Sequence, residues 1–245
     1  MPDALARAGI ERVIVTGASR GIGRAIAEAL VARGVHIAAV ARDRDRLREL
    51  VDASHGRATA IEARLDDARS CETVVERSVE ALGSIDALVS AAGVALHAPL
   101  DETSSESIDT TLAINVRAPL LLSRDVAEHL SSRRKKGAIV HVTSTLAERP
   151  APETLAYAAS KGALVAAVRT LALELAPRGI RVSAVSPGVV PTEMMASRDL
   201  HALARAHPLG RLVGADEVAR AVLFALESEM ITGSVITVDG GLSIG

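Results

Sequence analysis

The chain has 245 residues with 28 basic against 30 acidic side chains, and its formal charge of -2 gives no reason to expect nucleic acid or an acidic membrane surface as partner. Hydrophobic residues make up 49 %, enough for a large core and against disorder, but with no tryptophan, one phenylalanine and one tyrosine that core must be aliphatic. Cys71 is the only cysteine, which excludes an internal disulfide and a cysteine cluster for a metal.

Residues 1–9 lack a basic stretch followed by a long apolar one, and no apolar run approaches bilayer length, so a cytoplasmic protein is expected. After this short polar lead, residues 12–16 read as a buried strand ended by glycine. Gly17-Ala18-Ser19-Arg20-Gly21-Ile22-Gly23 follows and opens a helix whose apolar face is Ile22, Ala25, Ile26, Ala29 and Leu30, stopped by Gly34. A strand, a glycine-rich turn and a helix N-terminus together make a site for a pyrophosphate, because glycines admit it closely and unpaired N–H groups face it. The spacing is G-x-x-x-G-x-G, not the G-x-G-x-x-G of the common dinucleotide fingerprint.

Residues 35–40 form a second predicted strand, and Ala41-Arg42-Asp43-Arg44-Asp45-Arg46 opens the next helix. The tip of the second strand is where this type of fold meets the adenosine ribose. A carboxylate there suits a free 2′-hydroxyl, and an arginine suits a 2′-phosphate. With Ala41 at the tip, Arg42 beside it and Arg20 in the glycine loop, the pattern favours NADP(H) over NAD(H). The alternative for residues 42–46 is a solvated helix start of alternating charge, and that describes Arg44 and Arg46.

The alternation continues: strand 58–63, helix 67–82 closed by Gly83, strand 85–90, one long helix over about 103–131 with Asn115 in its middle, and strand 138–143 after the basic run 133–136. A helix over 155–176, strand 180–186, weaker helices to residue 227 and a seventh strand at 234–238 complete the chain. Strands alternating with helices mean a sheet covered on both faces. The expectation is a single α/β domain over residues 1–245, doubly wound and Rossmann-type, with a seven-stranded, mostly parallel sheet.

The 155–176 helix carries Tyr157-Ala158-Ala159-Ser160-Lys161. Four residues are about one helical turn, so phenol and ammonium leave the same face. A fixed ammonium lowers a phenol's pKa from near ~10 and eases proton exchange at neutral pH; by spacing alone the two are either a proton-transfer pair or two side chains on an ordinary surface helix.

Along nearly its whole length the sequence resembles the short-chain dehydrogenase/reductases. The carriers of the likeness are the 16–23 glycine motif, Asn115, Ser144, Tyr157 to Lys161, Ser186-Pro187-Gly188 and the ending from Ile231-Thr232-Gly233 to Val238-Asp239-Gly240-Gly241. The resemblance implies that Tyr157 gives a proton to a carbonyl in reduction and takes one in alcohol oxidation. It implies that Lys161 binds the nicotinamide ribose and lowers the phenol's pKa, that Ser144 hydrogen-bonds the substrate oxygen, and that Asn115 holds a relay water. Gly17, Ser19, Arg20, Gly21, Ile22 and Gly23 would cradle the phosphates and Arg42 the 2′-phosphate. Leu65, Asp66, Ser90, Ala91, Ala92 and Gly93 would line the adenosine side, and Pro187, Gly188, Val190 and Thr192 the nicotinamide. By their positions alone, Ser144 could end a strand, Asn115 kink a helix and Thr192 cap one.

Two departures stand out. Ser90-Ala91-Ala92-Gly93 replaces the family's Asn-Asn-Ala-Gly, and Arg64-Leu65-Asp66 replaces its Asp or Asn followed by an apolar residue, which weakens the expected adenine pocket. Residues 191–212 should face the substrate, with Met194 and Met195 either adaptable contacts or core; His97 and His207 read as loop residues. The closest likeness within the family is to 3-oxoacyl-(acyl-carrier-protein) reductases and generalist ketoreductases. The implied reaction is NADP(H)-dependent reduction of a 3-oxoacyl thioester or related ketone; Arg133, Arg134, Lys135, Lys136 and Arg178 would be either a landing patch for an acidic carrier or simply a solvated charge run. The rivals are oxidation of a sugar, steroid or other secondary alcohol, and a non-catalytic nucleotide sensor or scaffold. A homotetramer is also implied.

Overall fold

The computed structural model describes residues 3–193 and 199–245. Seven strands lie in one sheet: β1 Arg12–Thr16, β2 His36–Ala41, β3 Ala58–Glu62, β4 Ala87–Ser90, β5 Gly137–Val142, β6 Ile180–Pro187 and β7 Val235–Val238. Their order is β3-β2-β1-β4-β5-β6-β7, and every pairing is parallel. Such strands are buried on both faces, which is why they read as β-branched and alanine runs and not as alternating patterns. The chain reverses its direction of travel between β3 and β4, so a crevice opens beyond the carboxyl ends of β1 and β4, where open α/β sheets bind ligands.

Alternate side chains of each strand feed two cores. Val13, Val15, Ile37, Val89 and Val140 pack under α1 (Ala4–Arg7), α2 (Gly21–Ala32), α3 (Arg44–Ala53) and α9 (Ala215–Glu227). Ile14, Val40, Leu88, Ile139 and Val182 pack under α4 (Ala68–Leu82), α6 (Ala118–Ser132) and α7 (Leu155–Leu175). The small residues matter here, since Ala38, Ala39 and Ala41 in β2 let helices approach a sheet that has no aromatic filling. Asp43 and Asp67 cap α3 and α4 through their carboxylates, and Gly83 ends α4 in the left-handed conformation. No helix among the described residues is long and apolar enough to cross a membrane.

Three details differ from the sequence expectation. The polar lead contains a short helix, α1, capped by Asp3 and anchored by buried Leu5. β4 begins only at Ala87, because Asp86 turns its carboxylate onto the backbone N–H groups of Glu11 and Arg12 (3.2 and 2.9 Å). The single helix expected over 103–131 is divided into α5 (Ser105–Leu112), a π turn (Ala113–Arg117) and α6. Pro119 is the cause: it has no N–H for the carbonyl four residues back, that of Asn115, and the helix widens there.

Candidate active site

A cleft of about 480 Å³ runs from the glycine loop to the start of α7. Its floor begins at Gly17, where φ is +70° and an added Cβ would lie 2.8 Å from the backbone of Ala92; Gly23 would place one 2.3 Å from the Gly17 carbonyl oxygen. Only glycine permits both the turn and this packing. α2 starts directly behind, and its N-cap, Arg20, makes no side-chain capping bond, so the first N–H groups of the helix remain for an anion. These features fit the pyrophosphate of a dinucleotide.

At the adenosine end the structure answers both sequence departures. Arg64 turns away from the cleft and grips Asp66 with two bonds (Nε–Oδ1 3.2 Å, Nη2–Oδ2 2.6 Å), holding that carboxylate below its ordinary pKa. Asp66 and Leu65 line the cleft, and Arg64 does not. In place of the missing amides, the Thr16 hydroxyl accepts from the N–H groups of Ala91 and Ala92 (3.1 Å each) and ties β1 to the loop after β4. Ser90 ends β4 and is 2 % exposed, and the cleft wall after it is formed by Ala91, Ala92 and Gly93.

At the tip of β2, Arg42 lines the cleft and makes no hydrogen bond or ion pair among the described residues. The neighbouring Asp43 is committed, because its Oδ1 accepts from the Arg46 N–H at 3.1 Å as the cap of α3. The expected pair of free guanidiniums is thus one: Arg20 is engaged with Glu193 (2.7 Å).

Ser144, Tyr157 and Lys161 meet at the other end. Ser144 follows β5 and starts a 3₁₀ turn, with its Oγ accepting from the Leu146 N–H (3.2 Å). The same hydroxyl hydrogen-bonds the Tyr157 phenol and favours its ionised form, but burial outweighs this and raises the phenol above its ordinary value. Lys161 is 4 % exposed; its ammonium donates to the Val142 carbonyl (2.8 Å) and lies 5.7 Å from the Tyr157 ring centre. Burial brings the lysine down to about 8. The expected lowering of the phenol is therefore not found in this state. Lys161 is buried and Tyr157 half-buried against the cleft wall, and the water each has lost disfavours ammonium and phenolate alike.

Asn115 ties the loop after β4 to α7. Its side chain is a strut: Oδ1 accepts from the Val94 N–H (2.9 Å), and Nδ2 donates to the Val94 carbonyl (2.9 Å) and to Ser160 Oγ (3.0 Å). Both amide hydrogens are thus used, and Pro119 has no N–H to give the Asn115 main-chain carbonyl. A Cβ on Gly93 would lie 3.3 Å from Asn115 Oδ1 and 3.6 Å from Lys161 Nζ, so this glycine lets the β4 loop close on the pair.

Pro187, Gly188, Val190 and Thr192 line the cleft above these groups. His207, expected to be a loop residue, is 1 % exposed and braces them from behind, accepting from the Val189 N–H (3.3 Å). His97 stands in the wall with its ring 6.2 Å from that of Tyr157, beside apolar Leu146, Pro152, Leu203 and Leu242. Glu193 and Leu203 fall in the stretch 191–212 expected to face the substrate and His97 in a loop, but that they share one wall with Leu146, Pro152 and Leu242 follows only from how these distant segments and the helix Leu200–Ala206 meet. Met194 and Met195 lie outside the described residues. The basic run Arg133–Lys136 and Arg178 precede β5 and β6, at the opposite end of the sheet from Ser144 and Tyr157. Lys135 there pairs with Asp86 (3.4 Å).

The family described as enoyl-(acyl carrier protein) reductase matches residues 17–243. The L-xylulose reductase of Caenorhabditis elegans is 37 % identical over 242 residues, covering 95 % of this chain and 96 % of that protein. Its counterpart in Homo sapiens is 39 % identical over 237 residues, covering 94 % and 95 %. Among solved structures, the 3-ketoacyl-(acyl-carrier-protein) reductase of Brucella melitensis, complexed with NADH, superposes with a TM-score of 0.91 at 30 % identity, over 96 % of this chain and 98 % of that one.

Proposed function

The chain belongs to the short-chain dehydrogenase/reductase family of oxidoreductases, and from that premise we propose that it is an NADP(H)-dependent reductase of small, free ketones. The observation that carries the reading is the hydrogen-bonded Ser144–Tyr157 pair with Lys161 one turn further on, at the inner end of a cleft whose glycine floor fits a pyrophosphate.

In this reading the carbonyl oxygen sits against Ser144 and Tyr157. Ser144 donates a hydrogen bond where negative charge develops. Tyr157 passes its proton to that oxygen in reduction and takes one back in oxidation. A bound nicotinamide supplies or accepts the hydride. Lys161, with a pKa of about 8, is mostly charged at neutral pH and favours the phenolate that remains after proton transfer. The main-chain carbonyl of Asn115 is the available acceptor for resupplying protons behind it.

Preference for the phosphorylated cofactor is supported by unpaired Arg42 and by the commitment of Asp43 to its helix cap, which leaves no free carboxylate for a 2′-hydroxyl. A free substrate is favoured over a carrier-linked one because the basic run lies at the far end of the sheet. Ketoses are the first class to try, given the relatives; the apolar wall of Leu146, Pro152, Leu203 and Leu242 also admits aliphatic ketones.

The test follows NADPH oxidation with ketoses, diketones, and 3-oxoacyl thioesters with and without a carrier. Turnover with free ketones, not raised by carrier attachment, is expected. Tyr157→Phe should lower kcat at least ~100-fold while NADPH still binds; normal turnover would remove Tyr157 as the proton donor. Arg42→Ala should weaken NADPH much more than NADH, and equal effects would remove the 2′-phosphate argument.

A further inference from the structure

The segment after β6 crosses the mouth of the cofactor cleft. Thr192 packs on the glycine loop, its methyl 3.1 Å from where a Cβ on Gly21 would stand. The next residue, Glu193, reaches sideways and divides its carboxylate between two guanidiniums. Oε2 accepts from Arg20 Nη1 at 2.7 Å, and Oε1 from Arg46 Nη1 at 2.7 Å. Both arginines hold that carboxyl below the ordinary carboxylate range. Arg20 belongs to the glycine loop and Arg46 to the first turn of α3, just after the tip of β2. The carboxylate thus bridges the gap between glycine loop and β2 tip, which is where the 2′ position of an adenosine ribose falls in this type of fold. Unpaired Arg42 lines the same part of the cleft, and Asp43 is held by Arg46 (Oδ1 to N–H 3.1 Å, Oδ2 to Nε 3.4 Å).

We propose that Glu193 is an intramolecular competitor for the cofactor's 2′-phosphate, and so a residue that sets how strongly the protein prefers NADP(H) over NAD(H). This rests on the NADP(H) reading above. A 2′-phosphate must take Arg20 and Arg46 from the Glu193 carboxylate and tolerate its charge, whereas a 2′-hydroxyl has no such requirement. The side chains of Glu193, Arg20 and Arg46 are 53 %, 55 % and 38 % exposed, so the pairs are exchangeable and the competition is mild.

The probes are 2′,5′-ADP and 5′-AMP, titrated calorimetrically into the full-length protein, with NADPH and NADH as confirming ligands. Glu193→Gln should tighten 2′,5′-ADP about two- to fivefold, as expected for releasing two exposed ion pairs, and leave 5′-AMP unchanged. Glu193→Ala should do the same. The gain should shrink at high salt, and it should be smaller when Arg20→Ala is already present. If Glu193→Gln weakens both ligands, Glu193 is a clamp on the nucleotide; if it changes neither, it is a bystander. Either result overturns the proposal. Should Arg42→Ala still discriminate between the two probes in that case, the NADP(H) reading survives and only the role of Glu193 is lost. Should wild-type protein bind both probes equally and Arg42→Ala not distinguish them, both fall together.

Discussion

Replacing Lys161 by methionine is expected to change stability in a direction that depends on pH. The ammonium is 4 % exposed, and burial takes its pKa from 10.5 to about 8. At 1.36 kcal/mol per pH unit, the native state bears about 3 kcal/mol for keeping this group charged. The sign follows from the direction: the unfolded chain binds the proton more tightly. The cost is therefore complete below about pH 8 and fades as the pH rises to 10.5. The methionine variant escapes it, but leaves the Val142 carbonyl without its 2.8 Å donor, a loss of about 1 to 3 kcal/mol. Near pH 7 the two effects nearly cancel or favour the variant by up to about 2 kcal/mol. Near pH 10 the variant should be the less stable protein, the difference having moved by about 2 to 3 kcal/mol. Urea unfolding followed by far-ultraviolet circular dichroism, at both pH values and one protein concentration, measures this. A wild-type to variant difference that does not move with pH, or that moves toward the variant as pH rises, would refute the argument. Activity should be lost at every pH, so the variant separates stability from catalysis at one residue.

Other outcomes follow from the same geometry. Gly23→Ala places a Cβ 2.3 Å from the Gly17 carbonyl oxygen, which is backbone and cannot swing aside. Nucleotide binding should fall below detection by calorimetry and stability drop by about 1 to 3 kcal/mol; unaltered binding would show that the glycine floor is not the phosphate cradle. His141 is fully buried in β5 and burial pushes its pKa down to about 3, so it folds neutral. That contribution is present above its unfolded value of 6.5 and is lost as pH falls toward about 3. His141→Asn should flatten the acid limb of the stability profile by about 3 kcal/mol near pH 4, read from urea midpoints; an unchanged slope would mean that the imidazole already titrates in the folded state. Cys71 is buried and its thiol pushed up by that burial, so it should react with thiol reagents only as fast as the protein unfolds.

Much of this protein could be read from local chemistry. Short β-branched runs bounded by turn residues read as strands buried on both sides. Gly17, Gly21 and Gly23 mark a tight turn between a strand and a helix N-terminus, and one turn of helix puts Tyr157 and Lys161 on a common face. Those features depend on residues close in the chain, and the sequence therefore determined the strand and helix order, the glycine floor and the catalytic candidates. What the tertiary structure decided involves distant partners or loss of water. It made Asn115 a strut between Val94 and Ser160, and it turned Arg64 onto Asp66 so that the acid faces the cleft. It placed Thr16 in the work of the missing amides, and brought Glu193 across 173 residues of chain to Arg20. It also reversed the expected direction of the phenol's shift. A helical spacing states how near two groups stand, but only the packed interior sets how much water each has lost, and that loss governs the charge each can hold.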